Sequence, residues 1–227
     1  MMNRQVVLAV HKALSRAYGP LPRIGQGDPL GQLVETILSQ NTTDKNSHRA
    51  YLNLRQKFPS WSAVAEAPEA AIAARIRQGG LANIKAPRIR NVLKIIHDRE
   101  GRLSLSRLSR MSDAEAISYL TSLPGVGIKT ANCVLLFSLC RPVMPVDTHV
   151  DRVTRRLGWV EKHMPIEKAG AFIQQFIPPR LMLAVHVYLV WHGRRTCKAG
   201  KPRCSECVIR RHCKFYRRIV DSGGRFV

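Results

Sequence analysis

The amino-acid sequence predicts an all-α fold, and three observations carry that reading. Apolar residues recur at helical spacing in nearly every segment. Residues that cap helices precede several of those runs. No segment alternates apolar and polar residues as a half-buried strand would. The expected arrangement is about ten helices joined by short connections.

Asp28 at the N-cap and Pro29 at the first position open a helix whose apolar face is Leu30, Leu33, Val34, Ile37 and Leu38. Thr43 or Asp44 caps the next, marked by Tyr51, Leu54 and Phe58. Glu69–Arg77 is rich in alanine and helix-prone. A helix over Pro87–Arg99 presents Ile89, Val92, Leu93 and Ile96. Ser112 with Glu115 forms a capping box ahead of Ile117 and Leu120. Ile128–Leu139 is apolar nearly all round and is expected to be buried. Thr148 with Asp151 reads as a second capping box, opening a helix through Leu157. Ile166–Phe176 and Leu181–Arg194 complete the set.

The chain has 227 residues, room for one large domain or two small ones. Its hydrophobic content of 45% is that of a globular protein. Lys+Arg is 37 against an Asp+Glu of 15, a net charge of +22. A polyanion is therefore the expected partner, nucleic acid ahead of an anionic membrane surface. No apolar stretch reaches the roughly 18 residues of a membrane-spanning helix. The run Val6–Val10 is too short for a signal peptide and ends at His11 and Lys12. A cytoplasmic protein with no membrane segment is expected. Residues 194–218 carry ten Lys/Arg and a single acid, Glu206.

The segment Leu123-Pro124-Gly125-Val126-Gly127 lies between two helical stretches. Two glycines one residue apart permit positive φ and close backbone approach. The helix that follows leaves N–H groups to bind a phosphate. This is the logic of a helix-hairpin-helix gripping DNA backbone, with an ordinary glycine-rich turn as the alternative. Lys129 follows in the first helical turn, where the helix dipole disfavours a cation. An amine there suits a nucleophile, or else pairs with a phosphate. Asp147, in Pro145-Val146-Asp147-Thr148-His149, precedes a helix start. Free amides would favour its carboxylate, which could stabilise a sugar cation or activate an amine or water; a plain cap is the alternative.

Cys133 and Cys140 lie in an apolar stretch and read as buried thiols. Cys197, Cys204, Cys207 and Cys213 have the spacing C-x6-C-x2-C-x5-C. Without a secretion signal, a metal site is expected rather than disulfides. Four thiolates suit zinc or an iron–sulfur cluster. Lys201 and Arg203, between the first two of these cysteines, are expected to meet DNA phosphates.

Leu123-Pro-Gly-Val-Gly-x-Lys129-Thr-Ala, then Val146-Asp147-Thr-His149, then His192-Gly-Arg194 before the four cysteines, resembles the endonuclease III family of helix-hairpin-helix DNA glycosylases. The resemblance spans about residues 28–215. It implies two helical domains flanking a DNA-binding cleft: a six-helix domain with the hairpin over 26–138, and an iron–sulfur cluster domain over 1–25 and 139–227. It implies that Lys129 attacks the sugar C1′ and forms a Schiff base, and that Asp147 is the catalytic aspartate. Cys197, Cys204, Cys207 and Cys213 would then hold a [4Fe-4S] cluster. Leu123, Gly125, Val126, Gly127 and Thr130 would meet the DNA backbone, and Leu81 would enter the duplex gap. The implied activity is a DNA glycosylase and abasic-site lyase acting as a monomer on double-stranded DNA with damaged or abasic nucleotides, in the cytoplasm at the nucleoid.

Two departures lie beside the expected lesion pocket. Asn41 stands where better-known members have glutamine, with Gln40 one residue earlier. Ala82 stands where the Gly80-Leu81-x-Asn83 pattern has an aromatic residue. Both bear on which base is recognised, and either Gln40 or Asn41 fills the gap. The rival readings are a monofunctional uracil or mismatched-thymine glycosylase, which Lys129 disfavours, and a non-catalytic DNA-binding module, which Lys129 and Asp147 together disfavour.

Overall fold

The computed structural model describes residues 2–22 and 27–222. Twelve α-helices lie among these residues, and no strand. The first six are α1 (Arg4–Tyr18), α2 (Pro29–Ser39), α3 (Asp44–Lys57), α4 (Trp61–Glu66), α5 (Glu69–Ile76) and α6 (Ala82–Glu100). The others are α7 (Asp113–Thr121), α8 (Ile128–Leu139), α9 (Thr148–Leu157), α10 (Ile166–Gln174), α11 (Met182–Arg195) and α12 (Lys214–Asp221). Among the described residues, no helix is long and apolar enough to cross a membrane.

The chain forms two compact units, Gly25–Cys140 and Met1–Ile24 with Arg141–Val227. The boundary expected at 25/26 lies outside the described residues. In the first unit α2 is central and packs on α3, α6 and α8. Asp28 caps it, its Oδ1 and Oδ2 each accepting a backbone N–H at 3.0 Å, from Leu30 and Gly31. Its whole predicted apolar face is buried. Each such side chain contributes about 1.5–3 kcal/mol. Helix α8 is buried on nearly every side from Thr130 to Leu136.

In the second unit α9 packs on α11, and α1 covers α11 from another side. Helix α9 buries Val150, Val153, Thr154 and Leu157 and turns its arginines away from them. Gly193 lets α11 approach closely: a Cβ there would lie 2.8 Å from the Cβ of His149.

Three expectations need correction. Helix α6 begins at Ala82, five residues before Pro87. Leu81 O already accepts from Ile84 N and Lys85 N, so the first turn closes upstream of the proline. Pro87 forfeits only the bond to the carbonyl of Asn83, an exposed residue. Asp147, not Thr148, caps α9, and Asp151 instead accepts from Arg155 Nε at 2.8 Å. Cys133 is buried but Cys140 is exposed, because it ends α8 in the left-handed conformation with φ 53°.

Candidate functional site

The hairpin is built from the core outward. Leu123 and Val126 are buried and pin the turn between α7 and α8. Gly125 and Gly127 between and beside them are exposed. Gly125 has φ +75°, and a Cβ there would lie 2.5 Å from Arg88 Nε. Gly127 is the N-cap of α8 and offers no side chain to the first-turn amides. That helix start has no side-chain cap, and Thr130 is buried in its first turn. Lys129 is the second residue of α8 and half-buried.

Asp147 belongs to the other unit. Its Oδ1 accepts from His149 N at 2.9 Å and Val150 N at 2.7 Å. Both bonds fall on one oxygen, at the positive end of the α9 dipole. The carboxylate is half-buried and keeps Oδ2 outside the cap. Among the other histidines of this unit, His186 Nδ1 lies 3.1 Å from Pro145 O. His192 is buried, which lowers its pKa to about 4 and keeps it neutral.

The two amides at the end of α2 are arranged differently. Gln40 Nε2 donates to Gly125 O at 3.2 Å, and its Oε1 accepts from Arg88 Nη1 at 2.8 Å. Gln40 thus ties α2 and α6 to the hairpin. Asn41 is exposed with φ 54°. Leu81 is 49% exposed with φ 51°, at the N-cap of α6. Asn41, Leu81 and Cys140 are the non-glycine residues with positive φ among the described residues. Such backbone costs about 1–2 kcal/mol per residue and concentrates at functional sites.

Sequence reasoning missed Lys85. It is 1% exposed, and its Nζ donates to Leu38 O at 2.7 Å and Gly79 O at 2.8 Å. Burial, and then the charge of Arg88, push this ammonium below the ordinary lysine range. The available cue was its position one turn before Ile89 on the apolar stripe of α6.

The four cysteines line one cavity with Val153, Leu157, Ile209 and Phe215. None is in a disulfide. Arg156 Nη1 donates to Cys197 Sγ at 3.3 Å, and Cys213 Sγ donates to Arg156 O at 3.2 Å. Arg152 Nε and Nη2 donate to Cys197 O and Gly193 O, each at 2.8 Å. Helix α9 therefore carries Asp147 at its head and the cysteine loop along its arginine face. Burial raises the thiols of Cys204, Cys207 and Cys213, with Cys207 pushed up to about 11. Neighbouring cysteines add to each of those shifts. Among the described residues, no group of three or more His, Cys, Asp or Glu is arranged to hold a metal ion. Lys201 and Arg203 are exposed on the loop. Arg203 reaches Glu206 only at 4.0 Å, an exposed pair of little energetic weight.

Comparison with known proteins places this geometry. Residues 34–179 match the family model of the HhH-GPD superfamily base excision DNA repair proteins. Endonuclease III of Thermotoga maritima is 36% identical over 191 residues, covering 84% of this chain and 85% of that protein. Endonuclease III of Sulfolobus acidocaldarius is 34% identical over 186 residues, covering 81% of each. The solved structure of a trapped endonuclease III–DNA covalent intermediate superposes with a TM-score of 0.82 at 25% identity, over 97% of this chain and all of that one. A thermostable thymine-DNA glycosylase shares the fold, with a TM-score of 0.80 at 20% identity over 95% of this chain and 97% of its own. The chain belongs to the endonuclease III family of the HhH-GPD superfamily of base excision DNA repair proteins.

Proposed function

We propose that this chain, acting as a monomer, excises damaged pyrimidines from duplex DNA and then cleaves the strand at the abasic sugar. The observation that carries the reading is a lysine two residues past the uncapped hairpin helix start, on the same chain as a capped carboxylate that keeps an oxygen in reserve.

The hairpin amides bind backbone phosphate, which fixes the duplex without reading sequence. The target base leaves the stack before its glycosidic bond is reachable. Leu81 and Asn41 fill the space it vacates. Asn41 takes this role because the amide of Gln40 is committed to Arg88 and Gly125. The Asp147 carboxylate supports the positive charge that develops on the sugar, and Lys129 gives up its extra proton to solvent. The neutral amine attacks C1′ and the base departs with the glycosidic electron pair, taking up a proton. Ring opening leaves an iminium between Lys129 and C1′. Loss of a C2′ proton and expulsion of the 3′ phosphate complete β-elimination, and water then hydrolyses the imine to free the lysine.

By donor chemistry, the four thiols of Cys197, Cys204, Cys207 and Cys213 suit a [4Fe-4S] cluster. They share one cavity, and burial together with mutual repulsion disfavours bare thiolates there. Iron, if bound, would offset that cost by taking the four sulfurs as thiolate ligands. Held by these four residues, a cluster would fix the loop on which Lys201 and Arg203 would meet phosphate. Arg152 and Arg156 hold the same loop to α9.

A panel of duplexes, each with one lesion, tests the reading: thymine glycol, uracil, a G·T mismatch and a preformed abasic site. Thymine glycol should be released and the strand cut, and abasic DNA should be cut directly. Base release from uracil or G·T without strand cleavage would replace this reading with the monofunctional one.

A further inference from the structure

We propose that Lys85 is a positioning residue that sets the geometry of the two duplex-facing loops, Gln40–Asn41 and Gly80–Leu81, and through them the extrusion of the base. The inference rests on the reading of Asn41 and Leu81 as gap-filling residues.

Its ground is the placement of one ammonium between two backbones. Lys85 Nζ bonds Leu38 O, in the last turn of α2 and three residues before Asn41. It also bonds Gly79 O, at the end of a 3-10 turn and two residues before Leu81. Both carbonyls belong to helix ends, where the last C=O groups have no partner in their own helix and the dipole attracts a cation. The backbone N–H of Lys85 donates to Leu81 O at 2.9 Å, so the residue also holds Leu81 from the α6 side. The two segments are adjacent, since a Cβ on Gly79 would lie 3.8 Å from Leu38 O.

The alternatives available to the sequence sharpen the point. A methionine would fill the same space without burying a charge, which is costly when it is not compensated. What only the ammonium supplies is a two-pronged tether. Both loops it holds contain a non-glycine residue at positive φ, Asn41 and Leu81. Backbone of that kind persists only where its surroundings over-determine it. With the tether in place, both residues enter the duplex from fixed positions rather than ordering on arrival of the DNA.

The test compares Lys85→Met with wild type in two assays, base release from a thymine glycol duplex and β-elimination at a preformed abasic site. Base release should slow about 10- to 100-fold, the cost of a small misplacement. Elimination should change by no more than about twofold, because no base has to be extruded. In a Leu81→Ala or Asn41→Ala background, Lys85→Met should slow base release no further, since it acts through those residues. Equal losses in both assays, or additive losses in the double variants, would overturn the proposal. If Leu81→Ala and Asn41→Ala themselves leave base release unchanged, the gap-filling reading fails and takes this one with it. Should Lys85→Met not fold, Lys85→Gln keeps a polar head too short to reach both carbonyls. The same selective loss is expected of it, and an equal loss or none overturns the proposal.

Discussion

Replacing Asp147 with Asn and, separately, with Ala distinguishes a helix cap from a catalytic carboxylate, because the structure gives the residue both opportunities. Oδ1 accepts the amides of His149 and Val150. Asp147→Asn keeps an oxygen for both bonds and loses only the charge at the head of α9, about 0.3–1 kcal/mol of stability. Asp147→Ala removes the acceptor as well and costs about 1–2 kcal/mol. If the carboxylate also stabilises a sugar cation, losing its charge removes a contribution like that of an oxyanion-hole donor, about 2.7–4 kcal/mol, or about 10²–10³ in rate. The two variants should then differ in urea unfolding but lose single-turnover base release by similar factors. The reasoning is refuted if Asp147→Asn excises at close to the wild-type rate, or if the losses in rate simply track the losses in stability.

Gly125→Ala places a Cβ 2.5 Å from Arg88 Nε at a residue with φ +75°. It should cost about 1–3 kcal/mol in urea unfolding and weaken binding to damaged and undamaged duplexes alike. Replacing Lys201 and Arg203 with Ala should reduce the salt slope of DNA binding by about 0.9 for each phosphate that is no longer neutralised, with lesion preference unchanged in titrations at several salt concentrations. The purified chain should absorb broadly in the visible and contain about four irons, and Cys207→Ser should lose both features. A colourless, folded and active protein with one zinc would contradict that assignment.

Helix starts are legible in the sequence wherever a side chain closes them. Asp28, Thr43 and the Ser112–Glu115 box all cap as their spacing predicts. At α9 two capping patterns overlap by one residue, and local rules do not rank Asp147 against Thr148. Burial of Val150, Val153 and Leu157 sets the register there. The start of α6 is hidden for a different reason, since Pro87 reads as a beginning yet stands inside the helix. Lys129 and Asp147 are legible as candidates because each follows or heads a recognisable helix start. Lys85 and Arg156 are not, because each has a partner far along the chain. Leu38 is 47 residues from Lys85, and Ala199 is 43 from Arg156. Gln40 and Asn41 are ambiguous in sequence, and the proposed choice of Asn41 rests on the partners of Gln40 on α6 and the hairpin.

The most direct measurement is borohydride trapping on abasic DNA. Wild-type protein should form an imine between Lys129 and the sugar, which borohydride reduces to a stable covalent adduct visible as a shifted band. Lys129→Gln should give no adduct while still binding the same duplex, because the amine is lost and the hairpin amides remain. The account is contradicted if wild-type protein gives no adduct, or if Lys129→Gln forms one at the wild-type rate.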